Sequence, residues 1–226
     1  MQVIATIRSP YTQKFGVPRQ GNLAPHVRSF IVFEPNFRQH ECFRGMEGFS
    51  HLWLIWQFHL NGEQWQPTVR PPRLGGNERM GVFATRSPFR PNGLGLSVVK
   101  IEALHLDRKD GAFIEVSGAD MVDGTPIYDI KPYVPYADSI PEAKGGFVSE
   151  ITRPVLQVRY APHVTFPDGV KPEWVAAMHE TLSLDPRPAY HDEPERIYHL
   201  ILQPYEIAFR VENVTLVVEK ITKMPQ

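Results

Sequence analysis

The sequence predicts a mainly β protein: an antiparallel barrel or sandwich over residues 1–145, followed by a small α+β unit over residues 146–226. Three observations carry this. Short apolar, β-branched or aromatic runs recur in the first part of the chain, each bounded by turn residues. No alternation of strand and helix patterns appears, which argues against a doubly wound sheet. The one convincing helical pattern lies well beyond residue 145.

The predicted strands are Val3–Ile7, Ser29–Phe33, His51–Phe58, Met80–Thr85, Leu94–Leu104, Ala112–Val116 and Pro126–Ile130. Arg38–Glu47 predicts a helical turn or short helix before the third of them. Pro132, Pro135 and Pro141 mark an extended segment, and Gly145–Glu150 reads as a junction. Beyond it, Val155–Tyr160 predicts a strand. Pro172–Leu182 predicts a helix, because Asp168-Gly169 precedes it and Pro172 suits a first-turn position. The prolines of Leu184-Asp185-Pro186-Arg187-Pro188 stop it, since each removes a donor and clashes with the preceding turn. Ile197–Leu202, Glu206–Val211 and Thr215–Ile221 predict closing strands.

With 226 residues, 42% hydrophobic and 22% charged, the chain has the make-up of a globular protein with a core. No window reaches the ~18 apolar residues of a membrane-spanning helix. The start, MQVIATIRSP, lacks the basic and apolar regions of a signal peptide, and Cys42 is the sole cysteine. A reducing, cytoplasmic setting is the expectation.

The net charge of −1 hides an asymmetry. Residues 1–100 hold 12 Lys+Arg against 5 Asp+Glu, a balance of +7, and the remainder holds 12 against 20, a balance of −8. Between Trp65 and Asn92 stand Arg70, Arg73, Arg79, Arg86 and Arg90 with one acid, Glu78. Such a stretch is either a solvated loop or a patch for an anionic partner such as nucleic acid.

Common catalytic signatures are absent. There is no P-loop, no nucleophile elbow and no Cys-rich zinc site. Gly93-Leu94-Gly95 lacks the third glycine of a dinucleotide fingerprint. His51 and His59, eight residues apart, lack an evident third metal ligand. The chemistry-bearing residues fall into polar islands at strand ends. These are Val17-Pro18-Arg19-Gln20, Phe58-His59, the arginine-rich stretch, and Asp123 to Tyr133. In the last of these, strand alternation puts Asp129 and Lys131 on one face, as a structural ion pair or a site.

These islands, in order, carry a resemblance. The stretches are Arg8-Ser9-Pro10-Tyr11, Val17–Gln20, Phe49-Ser50-His51-Leu52-Trp53, Pro67–Asn77, Gly81–Asn92, Asp123–Tyr133 and Asp185–Tyr190. Together they closely resemble the TrmO (TsaA-like, YaeB-like) family, over nearly the whole chain. The departure is Gly93-Leu94-Gly95, where the commoner pattern has Pro-Ile-Gly after Arg-Pro-Asn.

The resemblance implies a single-sheeted β-barrel that binds S-adenosylmethionine. It implies a homodimeric tRNA methyltransferase acting on N6 of threonylcarbamoyl-adenosine at position 37 of threonine tRNA. The implied cofactor contacts are Pro18, Arg19, Gln20, Phe58, His59, Arg86, Leu96, Pro126, Ile127, Tyr128 and Asp129. Arg86 suits the cofactor carboxylate, Asp129 its ribose or ammonium group, and Leu96 with Ile127 an apolar slot. Methyl transfer needs chiefly orientation, plus a base for one proton; the candidates are Asp129, His59 and Tyr128. Arg70, Arg73, Arg79 and Arg90 are expected on tRNA, with Arg187 and Tyr190 on RNA or as a brace between the two parts. Two alternatives stay open at this point: a non-catalytic barrel that binds S-adenosylmethionine or RNA, and a metal hydrolase built on His51 and His59.

Overall fold

A computed structural model of the chain describes residues 1–62, 64–74, 78–108, 111–149, 155–188 and 193–225. The strands of the first part are β1 (Ala5–Arg8), β2 (Arg28–Phe33), β3 (His51–Gln57), β4 (Thr68–Val69), β5 (Met80–Gly81), β6 (Leu94–His105), β7 (Phe113–Ser117) and β8 (Pro126–Pro132). Six of them close into one antiparallel barrel in the order β1-β2-β7-β6-β3-β8. Barrel rather than sandwich is therefore the outcome, and closure leaves no open sheet edge. The two-residue alternation sorts the side chains. Leu52, Leu54 and Trp56 of β3 are buried, while His51, Trp53, Ile55 and Gln57 between them are only partly so.

One predicted strand comes out differently, while the helical turn expected over Arg38–Glu47 is present as 3-10 turns. Met80–Thr85 is a strand only over Met80–Gly81, which pairs with β4; Val82–Ala84 forms a 3-10 turn. The loop supplies its own partners there: the Thr85 hydroxyl donates to the Val82 carbonyl at 2.9 Å, and Arg90 Nη1 donates to the same oxygen at 3.0 Å. Those bonds replace a sheet ladder. Residues 35–48 hold three separate 3-10 turns, Pro35–Phe37, His40–Phe43 and Met46–Gly48, of which only Phe43 is buried. One buried side chain is too little to favour a continuous amphipathic helix.

After the four-residue α1 (Pro135–Asp138), the second part contains β9 (Gln157–Tyr160), α2 (Pro172–Ser183), β10 (Tyr198–Leu202), β11 (Tyr205–Glu212) and β12 (Thr215–Lys223). Its sheet runs β10-β11-β12-β9, with β9 parallel to β12. Helix α2 starts on Pro172 and buries Ala177, Met178, Thr181 and Leu182.

The barrel interior is one apolar cluster and the second sheet with α2 is another, but the second does not draw only on the second part of the chain. Tyr11, Ala24 and Val27, from the connection between β1 and β2, are buried in it. Phe15 of the same connection stacks on Tyr198 and Phe209. Gly16 has φ +94°, and a Cβ there would lie 2.5 Å from Leu200 Cδ1. The Thr181 hydroxyl donates to the Ala177 carbonyl at 2.8 Å, so the Tyr11 hydroxyl, 3.0 Å away, donates to it. Burial also pushes the Tyr11 phenol pKa above its ordinary value. The Gln203 N–H donates to the Pro10 carbonyl at 2.9 Å.

Topology gathers the polar islands. β1, β3 and β7 end, and β2, β6 and β8 begin, at the same end of the barrel. The three connections 9–27, 58–93 and 118–125 therefore emerge together.

Replacing Tyr11 tests the shared core. Tyr11→Phe is expected to cost about 1 kcal/mol, one net hydrogen bond, and Tyr11→Ala about 3–5 kcal/mol for the emptied site. Urea unfolding followed by fluorescence and by circular dichroism is expected to show one transition for both parts. Two separated transitions with Tyr11→Ala affecting only one would contradict the shared core.

Candidate active site

The connection 9–27 is pinned to its neighbours by side chains of opposite character. Lys14 Nζ donates to the Leu60 carbonyl at 2.7 Å and to Asn61 Oδ1 at 2.6 Å. Arg86 Nη1 donates to Gln20 Oε1 at 2.5 Å. These contacts bring the predicted residues Gln20 and Arg86 together, and place Phe58 and His59 on a connection tied to the same loop. Pro18 is buried and Arg19 is exposed, with its Nη2 donating to the Arg187 carbonyl at 3.3 Å.

Beneath this rim lies a chain of polar groups closing the barrel end. Trp56 Nε1–H donates to Ser97 Oγ at 3.0 Å, and the Ser97 hydroxyl donates to Asp120 Oδ1 at 2.6 Å. The Gly21 backbone also supports the Asp120 carboxylate, and the Arg86 charge acts on it. Desolvation by burial dominates these stabilising contacts and holds the Asp120 pKa above the ordinary carboxylate value. Asp120 is the residue that sequence reasoning missed; Ser117-Gly118-Ala119-Asp120 reads as a plain turn.

Glycines make the closure possible. Gly95 faces Trp56 across the β3–β6 ladder, and a Cβ on it would sit 2.3 Å from the indole. Gly118, at φ +77°, leaves room for Asn22, whose N–H donates to the Gly118 carbonyl at 2.8 Å. Gly93 (φ +50°) has open space around its would-be Cβ and serves the turn.

The outer barrel wall carries the other predicted contacts. Leu96, Ile55 and Asp129 are register partners across β6, β3 and β8, so they form one row. Leu96 is 57% exposed. The β3–β8 register shifts between Ile55 and Trp56, so that Tyr128 is an extra residue in the ladder. The bulge lets Tyr128 donate from its hydroxyl to Gln57 Oε1 while Asp129 stays outside. Lys131 Nζ lies 3.3 Å from Asp129 Oδ2, so the shared face predicted for them holds, as an ion pair. Asp129 Oδ1 also accepts the Ile130 N–H at 2.9 Å. Ile127 corrects the sequence reading: it is fully buried in the barrel core, so it and Leu96 lie on opposite sides of the wall and share no slot. Pro126 begins β8 at the loop-bearing end.

Phe58 packs edge-on against Trp56, ring centroids 4.3 Å apart. His59 is exposed. Its imidazole pKa is held below the ordinary value, first by desolvation and then by the Lys14 charge, against a hydrogen bond to the Gln57 backbone. His51 stands at the opposite end of β3, with Nδ1 2.8 Å from the Ser50 hydroxyl, so the strand separates the two histidines instead of pairing them.

The expected RNA contacts divide. Arg70 is exposed, and Arg79 Nη1 donates to Thr68 Oγ1 at 2.9 Å. Arg90 Nη1 is engaged by the Val82 and Thr85 carbonyls, at 3.0 and 2.6 Å. Arg187 is turned inward: its side chain is 11% exposed and grips Asp185 with two nitrogens, at 2.9 and 3.0 Å. That grip is local, two residues apart, and the contact with the first part is made by the Arg187 carbonyl, which accepts from Arg19 Nη2. The Arg73 side chain and Tyr190 lie outside the described residues.

Comparison with known proteins gives the following. The profile described as the tRNA-methyltransferase O N-terminal domain matches residues 6–139, and that of the TrmO C-terminal domain matches residues 157–224. The chain is 40% identical over 217 residues to a tRNA (adenine(37)-N6)-methyltransferase of Escherichia coli, covering 93% of this chain and 92% of that one. It is 44% identical over 174 residues to the enzyme of the same description from Eikenella corrodens, covering 76% of this chain and 97% of the relative. A TrmO crystal structure superposes with a TM-score of 0.77 at 30% identity, over 98% of this chain and 99% of that chain. One from Pseudomonas aeruginosa does so with a TM-score of 0.76 at 31% identity, over 98% of both chains.

The raised pKa of Asp120 sets a pH dependence. The native state holds this proton more tightly than the unfolded chain, so stability falls as pH rises from the ordinary carboxylate range through the native pKa, and is level above it. Asp120→Asn removes that proton. Urea unfolding of both proteins across the acidic range is expected to show the variant gaining on the wild type as pH rises; a pH-independent difference would contradict the assignment.

Proposed function

The chain belongs to the TrmO family, and from that premise we propose that it is a tRNA (adenine(37)-N6)-methyltransferase whose methyl donor is S-adenosylmethionine. The observation that carries this reading is a set of groups on the loop rim and the outer wall of the barrel. They are an exposed guanidinium held by Gln20, the exposed Leu96, and the partly exposed carboxylate of Asp129. Their chemistry complements a ligand with a carboxylate, an apolar face and donor groups. Arg86 would hold the carboxylate, Asp129 the ribose or ammonium group, and Leu96 the apolar face. Pro18, Arg19, Phe58, Pro126 and Tyr128 would complete the surround, Tyr128 as a bulge residue whose backbone leaves the ladder.

The cofactor supplies an electrophilic methyl group on a sulfonium. The chain's own task is to orient the two reactants and accept one proton. Of the three candidates for that proton, His59 is the best suited. Its lowered pKa keeps the imidazole neutral near pH 7 and its ring is exposed. The Tyr128 hydroxyl already donates to Gln57, and Asp129 is engaged by Lys131 and the Ile130 N–H.

The finer reading is that the substrate is threonylcarbamoyl-adenosine of threonine tRNA. The carboxylate of that modification and the phosphates of the loop both suit the cation-rich stretch 70–90. A cytoplasmic homodimer is part of the same reading. So is the division into a cofactor domain, residues 1–145, and a C-terminal domain, residues 146–226.

The test is incubation with cofactor carrying a labelled methyl group and tRNA bearing the modified adenosine. Label is expected on N6 of residue 37. Intact cofactor binding without transfer would instead identify a non-catalytic binding barrel. If His59 takes the proton, His59→Asn is expected to lower the transfer rate by about 10²–10⁴-fold and to erase the acid limb of the pH–rate profile. An acid limb that survives the substitution would rule His59 out.

A further inference from the structure

The connection 58–93 carries three exposed aromatic residues that the cofactor reading does not use. Phe83 is 77% exposed, and Trp65 and Phe89 are each about half exposed, at 49% and 46%. They belong to one lobe: the Gln66 N–H donates to the Phe89 carbonyl at 3.2 Å, and the Val82 N–H to the Pro67 carbonyl at 3.0 Å. Three large exposed rings on one lobe mark it as a candidate interaction surface.

The lobe is built to hold these rings still. Val82, beside Phe83, is an inward anchor, 1% exposed. The Thr85 hydroxyl accepts the Ser87 N–H, and the Ser87 hydroxyl accepts the Phe89 N–H, both at 3.3 Å. Arg90 ties down the Val82 and Thr85 carbonyls, and its guanidinium carbon lies 5.8 Å from the Phe83 ring centre. Arg90 is therefore a scaffold residue that presents Phe83. An open groove beside them is lined by Phe83, Arg90, Pro91, Asn92 and Leu94.

Charge selects the occupant. The lobe also carries the exposed Arg70 and the hydroxyl-bonded Arg79, and between Trp65 and Asn92 the sequence has a single acid, Glu78. Rigid aromatic faces beside cations fit single-stranded nucleic acid, because every base has a stackable face and every linkage a negative charge.

We propose that Trp65, Phe83 and Phe89 form a stacking platform for unpaired bases of the tRNA loop, with Arg70 contacting a flanking phosphate. The inference rests on the methyltransferase reading for the identity of the RNA, and it adds the surface by which the RNA is held. The platform acts through binding and leaves the cofactor site untouched.

The test uses the full chain and a fluorescent RNA hairpin with an anticodon-type loop, titrated at several salt concentrations. A matched hairpin whose loop bases are replaced by abasic residues serves as the control. Phe83→Ala is expected to weaken binding of the intact hairpin about tenfold, within the range of one stacked base. It is expected to leave the salt slope, the affinity for the abasic hairpin and the affinity for S-adenosylmethionine unchanged. Phe89→Ala is expected to act in the same way, and Arg70→Ala to reduce the salt slope by about one. Unchanged hairpin affinity in Phe83→Ala, or equal losses with intact and abasic loops, would overturn the proposal. So would a change of oligomeric state in sedimentation, which would make the lobe an interface between copies. Hairpin binding is scored apart from methyl transfer, so failure of the platform and failure of the methyltransferase reading give different results.

Discussion

The connection between β1 and β2 belongs to two structures at once. By covalent geometry it is a barrel loop; by packing it is part of the core under the second sheet. Tyr11, Ala24 and Val27 are buried with Leu200 and Phe209, and Gly16 has no Cβ because Leu200 occupies that space. A loop of this length in water would lose on the order of 1 kcal/mol per residue in ordering alone. Anchored by buried aromatic side chains, it presents Pro18, Arg19 and Gln20 in a fixed place. The second sheet thus acts on the site without contributing a strand to the barrel.

The second constraint is the polar closure of the barrel end. A buried indole N–H, a buried serine hydroxyl and a carboxylate are costly apart, and each satisfies the next when joined. The chain of bonds ends under Gly21 and Arg86, so the barrel core sets the height of the rim where Gln20 and Arg86 meet. Asp120 is a positioning group in this arrangement. Its carboxylate faces the protein interior and its influence passes through the loop and the guanidinium above it.

Much of the fold was legible in the sequence because strand alternation and turn residues are local signals. β3, β6 and the closing hairpins fall close to where Val, Ile, Leu and aromatic residues alternate with polar ones. Asp129 with Lys131 was legible as a shared face. What escaped depends on contacts distant in sequence. Tyr11 meets Thr181 across 170 positions, and no local pattern marks Tyr11 as part of a second core. Asp120 sits in a turn-like context and gains its character from burial, which outweighs the contacts with Ser97 and Arg86. Ile127 looked like a pocket residue until the bulge at Tyr128 fixed which side of the wall it faces. Arg90 was read as an RNA contact because sequence does not show the carbonyls that occupy it, and the carboxylate that occupies Arg187 was equally hidden.

The second core holds in place the connection 9–27, which we propose faces the cofactor. Leu200→Ala tests it most directly, because Leu200 packs under Gly16 and is no part of the candidate site. The measurement is the Kd for S-adenosylmethionine by calorimetry, at a temperature where circular dichroism shows the variant folded. A folded variant that binds the cofactor about tenfold more weakly, a loss of ~1.4 kcal/mol in affinity, is the predicted result. A folded variant with the wild-type Kd would contradict the claim.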